Sequence, residues 1–163
     1  MTTDYYKLCE DGLIAFLISD LPLVFPNGAK QVTASDDTVI DNGNDYYAIT
    51  YPGSFPQTEL TEGFVVYSWE ILLDVMSRWK KTESKAWNEN GFKYLRSEII
   101  YLINHTRAGR SLNKTLFVQE AVLSANDSPS YVPLRGTDPG NPVFTHIRQV
   151  CMVTVRQLVP REQ

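Results

Sequence analysis

Apolar residues in the first part of the chain fall on a helical stripe. Tyr6, Cys9, Leu13, Phe16 and Leu17 recur at offsets of 0, 3, 7, 10 and 11. The spacing predicts a helix over 4–19, with Thr3 as N-cap, Asp4 in the first turn and Pro22 as its stop. A hairpin is expected next: Thr38-Val39-Ile40, a turn at 41–45 holding Asn42-Gly43, then Tyr46-Tyr47-Ala48-Ile49. Residues 52–62 read as a Pro- and Gly-containing loop. After it, Val65, Tyr67, Trp69, Ile71, Leu73 and Val75 alternate with a mixed set, which predicts a strand of about 12 residues. That is long against the usual five or six, so the mixed face suggests partial cover, as by another subunit. A second amphipathic helix is predicted over 88–106 from Phe92, Leu95, Ile99, Leu102 and Ile103, with Gly109 just past its end. Two further strands are read at 114–124 and 142–159, separated by a loop at 125–141 with three prolines and two glycines.

The expected order is therefore α-β-β-α-β-β. It predicts an α+β domain: a two-layer antiparallel sheet of about four strands with two helices on one face. At 163 residues the chain is expected to form a single domain, 1–163, with a substantial core. A hydrophobic share of 43% and a charged share of 21% are globular values and exclude a disordered or collagen-like chain. The longest apolar stretch, 13–25, is broken by Ser19, Asp20 and Pro22, so no membrane span is expected. The acidic start lacks the basic region of a secretion signal, and a soluble, unsecreted chain is expected.

Charge is unevenly laid out. Residues 1–77 carry a net charge of −10, residues 78–114 carry +6, and the remainder balances. An acidic face on one copy can meet a basic face on the next, a contact that closes into a ring or runs on as a fibre. Nucleic-acid contact through the basic middle is the competing reading, with Trp69, Trp79, Trp87 and Tyr67 as base-stacking candidates. The overall net charge of −4 argues against it.

Chemistry-bearing motifs are sparse. Cys9 and Cys151 lie in no CxxC and are expected to be reduced, buried thiols. His105 and His146 lie in no metal or nucleophile motif, although a Cys–His or Ser–His–Asp arrangement would need one of them. The acids at 37–45 do not fit a calcium loop, because Val39 stands where a second ligand belongs. Gly136 to Gly140 is a Pro-containing turn and not a phosphate loop. No cofactor and no metal is expected.

Three stretches in order carry a family resemblance: GFVVYSWEILLDVMSRW, the helix NENGFKYLRSEIIYLI and the closing strand PVFTHIRQVCMVTVRQLV, all preceded by the N-terminal helix. Over residues 4–159 this element order and texture resembles the tail terminator, or tail completion, proteins of long-tailed (siphovirus-type) bacteriophages. The resemblance implies a non-enzymatic structural virion protein made in the host bacterial cytoplasm. Such proteins form a hexameric ring on the head-proximal end of the tail tube, stop tube polymerisation and present a surface for head joining. The implied partners are other copies of itself, the tube protein and the head-neck connector. Nucleic acid is implied only as the genome passing through the ring lumen. On that reading Lys80, Lys81, Arg107 and Arg110 would meet acids of a neighbour such as Asp36, Asp37, Asp41 and Asp45. A head-completion or neck connector protein is the nearest alternative. A small hydrolase using His105 or His146, or a nucleic-acid-binding module, is the alternative from another class.

Overall fold

The structure is a computed structural model, and it describes residues 2–24, 30–34, 46–125 and 127–162. The elements are α1 (Tyr5–Val24), β1 (Lys30–Ala34), β2 (Tyr46–Pro52), β3 (Gln57–Leu60) and β4 (Phe64–Arg78). They continue with α2 (Lys85–His105), α3 (Arg107–Arg110), β5 (Val118–Ala125), β6 (Ser130–Pro133) and β7 (Phe144–Pro160). The fold is α+β. Its centre is the antiparallel pair β4–β7, in register from Phe64↔Pro160 to Arg78↔His146.

Each long strand carries two partners on its outer edge. β4 pairs with β3 near its start and with β2 near its end; β7 pairs with β6 near its start and with β5 near its end. β1 joins β2 in parallel and completes a seven-stranded sheet.

Alternation along β4 and β7 decides which face is the core. Ile71, Leu73 and Val75 of β4 share a face with Cys151, Val153 and Val155 of β7 and with Ala121 and Leu123 of β5. Against that face α1 buries Cys9, Leu13, Phe16 and Leu17, and α2 buries Phe92, Leu95, Ile99, Leu102 and Ile103, in one contiguous cluster. These are the two stripes read from the sequence. Ser84 caps α2, its Oγ accepting from the Trp87 N–H at 3.1 Å.

Several expectations are corrected. Among the described residues the sheet has seven strands and not about four, and the order is α-β-β-β-β-α-α-β-β-β. Of the hairpin read over 38–49 only the second arm is described, as part of β2, and Tyr46 to Thr50 there has β1 on one edge and β4 on the other. The turn at 41–45 and residues 38–40 themselves lie outside the described residues. The β1–β2 contact also makes the sheet mixed and not wholly antiparallel.

α1 continues through Pro22 to Val24: the proline costs a donor and crowds the carbonyl four residues back, but it stands in the last turn, where only two residues follow it in the helix. The 52–62 loop holds β3 and the 125–141 loop holds β6, four residues each; strands this short leave no alternation to read. The strand read from 114 begins at Val118 instead. Before it, Leu112, Asn113 and Lys114 adopt positive φ of 49°, 54° and 61°, and Phe117 adopts 63°.

Candidate interaction surfaces

The basic residues singled out in the sequence fall at two separate places. Lys80 and Lys81 lie in the turn between β4 and α2, and Arg107 and Arg110 lie in α3 beyond the other end of α2. A helix of 21 residues separates the pairs by about 30 Å. They therefore make two basic corners and not one continuous patch. Asp36, Asp37, Asp41 and Asp45 lie outside the described residues.

A buried carboxamide fixes the first corner. Asn88 Oδ1 accepts the Lys80 N–H at 2.7 Å, and its Nδ2 donates to the carbonyls of Lys80 at 3.1 Å and Ser84 at 2.9 Å. The Lys80 ammonium then sits 5.3 Å from the centre of the exposed Trp87 ring. Arg78, Trp79, Lys80, Lys81 and Thr82 surround a shallow cleft of about 450 Å³.

The second corner is tightly built. Thr106 caps α3, its Oγ1 accepting the Gly109 N–H at 2.9 Å. A Cβ on Gly109 would overlap the Leu102 carbonyl oxygen and the Ile103 backbone, so only glycine lets α3 fold back on α2. The run of positive-φ residues follows, held by the Asn113 N–H on the Ala108 carbonyl at 2.8 Å and the Lys114 N–H on Ser111 Oγ at 3.0 Å. Leu112 anchors it in the core, while Arg107, Arg110, Lys114 and Leu116 face solvent.

Across the sheet from that corner lies an acidic and apolar edge. Every residue of β3 is exposed, with Glu59 and Leu60 at its end and Glu62 in the turn to β4. No Lys or Arg occurs between residues 46 and 77. Arg161 reaches this edge from the end of β7, where its Nη1 donates to the Thr61 carbonyl at 3.1 Å. The β2–β3 loop is pinned by Glu70, whose carbonyl and Oε2 accept the N–H groups of Gly53 at 2.9 Å and Ser54 at 3.2 Å. Phe55 is thereby held outward at 97% exposure, beside a cleft of about 300 Å³ lined by Tyr6, Pro52, Pro56 and Trp69.

The two edges share one row of the sheet. Thr58 pairs with Tyr67, Tyr67 with Gln157, and Gln157 with Val118. A buried relay follows the same path: the Trp69 indole N–H donates to Gln157 Oε1 at 2.9 Å, and Gln157 Nε2 donates to the Leu116 carbonyl at 3.1 Å. Tyr5, Tyr67, Trp69 and Phe117 pack beneath in ring contacts of 4.9 to 6.3 Å.

No protein-family model matches the chain, and no curated protein matches it. Cys9 and Cys151 are free and buried, and burial pushes their thiols up to about 12 and about 11, which keeps them un-ionised at neutral pH. His146 and Cys151 have opposite parity on β7 and so project to opposite faces of the sheet. His105 ends α2, exposed and stacked on Tyr101 at 5.5 Å. No group of three or more His, Cys, Asp or Glu suited to a metal ion occurs among the described residues. Trp69 and Trp79 are packed within aromatic clusters, which leaves Trp87 as the exposed member of the base-stacking set. No described helix is long and apolar enough to cross a membrane.

Proposed function

We propose that this protein is a structural ring subunit of a long-tailed bacteriophage, a tail terminator. In this reading its copies close into a hexamer on the head-proximal end of the tail tube. The ring stops addition of tube protein and offers its other rim to the head-neck connector. The subunit is not an enzyme, it needs no cofactor, and it is a virion component. Nucleic acid meets it only as the genome crossing the ring lumen.

The observation that carries the reading is the placement of unlike surfaces on opposite edges of one sheet. β3 presents acids and apolar side chains, and the α3–β5 corner presents cations and an exposed leucine. A subunit with two different, complementary edges is suited to a head-to-tail contact, and such contacts close into rings when the rotation permits. The element order and texture of the chain, which resemble the terminator family, support the same reading. The basic corner at Lys80 and Lys81 lies away from both edges, and in this scheme it faces acids of a neighbour, Asp36, Asp37, Asp41 or Asp45, or the tube.

A capping assay tests this. Tail-tube protein of the same phage polymerises with and without this protein, and tube length is followed by negative-stain imaging. Growth arrest with a ring on one tube end is expected. Unarrested growth together with binding to the portal complex would move the protein to the head side of the neck.

A further inference from the structure

We propose that one copy's β3 edge docks on the α3–β5 corner of the next copy, so that these two surfaces are the ring's repeating contact. This rests on the ring reading above and names the residues and the partner surface that build it.

Three observations place the contact there. The first is charge. Glu59 and Glu62 are exposed on one edge, in a stretch that holds no Lys or Arg from 46 to 77. Arg107, Arg110 and Lys114 are exposed on the other, in a stretch that holds no Asp or Glu from 106 to 119. The acid of β5, Glu120, lies opposite Arg156 in register. Arg161 also reaches the acidic edge, where the Thr61 carbonyl holds its guanidinium, so that edge is acid-rich with one tethered cation while the corner is basic.

The second is apolar exposure on both sides. Phe55 and Leu60 are 97% and 66% exposed on the acidic edge, and Leu116 is 55% exposed at the basic corner. Exposed ion pairs contribute little to affinity, but they set orientation, and apolar anchors inside a polar rim do the holding. Both edges carry that combination. The cleft beside Phe55 is lined by the Tyr6 and Trp69 rings and two prolines, a fit for an aliphatic side chain such as leucine.

The third is geometry. The row Thr58–Tyr67–Gln157–Val118 runs straight from one edge to the other across four strands. Three strand spacings set the backbones of the two edges about 14 Å apart, at the same height on the subunit. Copies related by a rotation about one axis then meet edge to edge with their rows level, as a ring requires. Both surfaces are also rigid before contact: Glu70 pins the loop that carries Phe55, and Gly109 and Leu112 lock the corner that carries Arg107, Arg110 and Lys114. Surfaces that are already ordered lose less entropy on association.

The test is a charge exchange followed by sedimentation velocity over a concentration series. The two double variants are Glu59→Lys/Glu62→Lys and Arg107→Glu/Arg110→Glu. Each alone should raise the dissociation constant of assembly by roughly tenfold or more. An equimolar mixture should regain assembly, because the acidic corner of one variant meets the basic edge of the other, and alternating copies close an even-numbered ring. Phe55→Ser/Leu60→Ser should weaken assembly and leave the thermal unfolding of the subunit unchanged, since both side chains are exposed. Wild-type assembly that neither charge variant weakens would overturn this contact and leave the ring reading standing. Loss of assembly that mixing does not restore would overturn the pairing of these two edges. Wild-type protein that stays monomeric at every concentration would overturn this contact as one that the two surfaces make by themselves, and the ring reading would then be decided by the capping assay.

Discussion

Gln157 lies fully buried in β7 with both ends of its carboxamide engaged, by the Trp69 indole on one side and the Leu116 carbonyl on the other. Replacing it with Leu keeps the volume and leaves a buried indole N–H and a buried carbonyl unpaired. The expected cost is about 1–3 kcal/mol in urea unfolding, with looser packing of the aromatic set around Tyr67. Asp74 tells a different story on the opposite face of the sheet. It is 1% exposed and paired with Arg148. Burial pushes its carboxyl above the ordinary value of 3.8, and the Arg148 guanidinium only partly opposes this. A carboxyl raised on folding binds its proton more tightly in the native state. Its contribution is therefore fully present below the ordinary value and is lost as pH rises through the raised one. Asp74→Asn cannot titrate, so wild-type stability should gain on the variant as pH falls from about 7 toward about 4. Parallel pH profiles of unfolding for the two proteins would contradict that.

Elements differ in how they could be read from the chain. The stripes of α1 and α2 and the alternation of β4 and β7 were legible, because each long element buries one face and the burial writes a period. β3 and β6 were not, since four residues on an edge need no apolar face. α3 and the turn after it were hidden for another reason. Their shape depends on Gly109 fitting against α2 and on Leu112 reaching the core, which are contacts distant from local pattern. The candidate site was half legible: Arg107 and Arg110 stood out by charge, but Phe55, Glu59 and Leu60 lay in what read as a loop. Gly109→Ala should force a backbone shift at the corner and destabilise by about 1–3 kcal/mol, measured by thermal unfolding. Asn104 acts as an edge guard. Its carboxamide accepts the Leu123 N–H at 2.8 Å and donates to the Leu123 carbonyl at 3.0 Å, closing that point of β5 to a further strand. Asn104→Ala should lower stability by about 1 kcal/mol or more and promote edge aggregation, visible by light scattering.

For the whole molecule, the net charge of −4 matters less than its layout. The proposed ring draws orientation from exposed charges and cohesion from exposed apolar side chains. Assembly should therefore weaken as salt rises from low to physiological levels and then level off, because the Debye length falls to about 8 Å while apolar burial persists. Assembly that collapses steeply and without limit would point instead to a purely ionic contact.

The most direct measurement is imaging of tail tubes assembled with this protein present. Short tubes are expected, each ending in one six-fold ring at a single end, at a ratio of about one ring per tube. Tubes of unchanged length with bare ends, at protein concentrations well above the number of tube ends, would contradict the terminator reading.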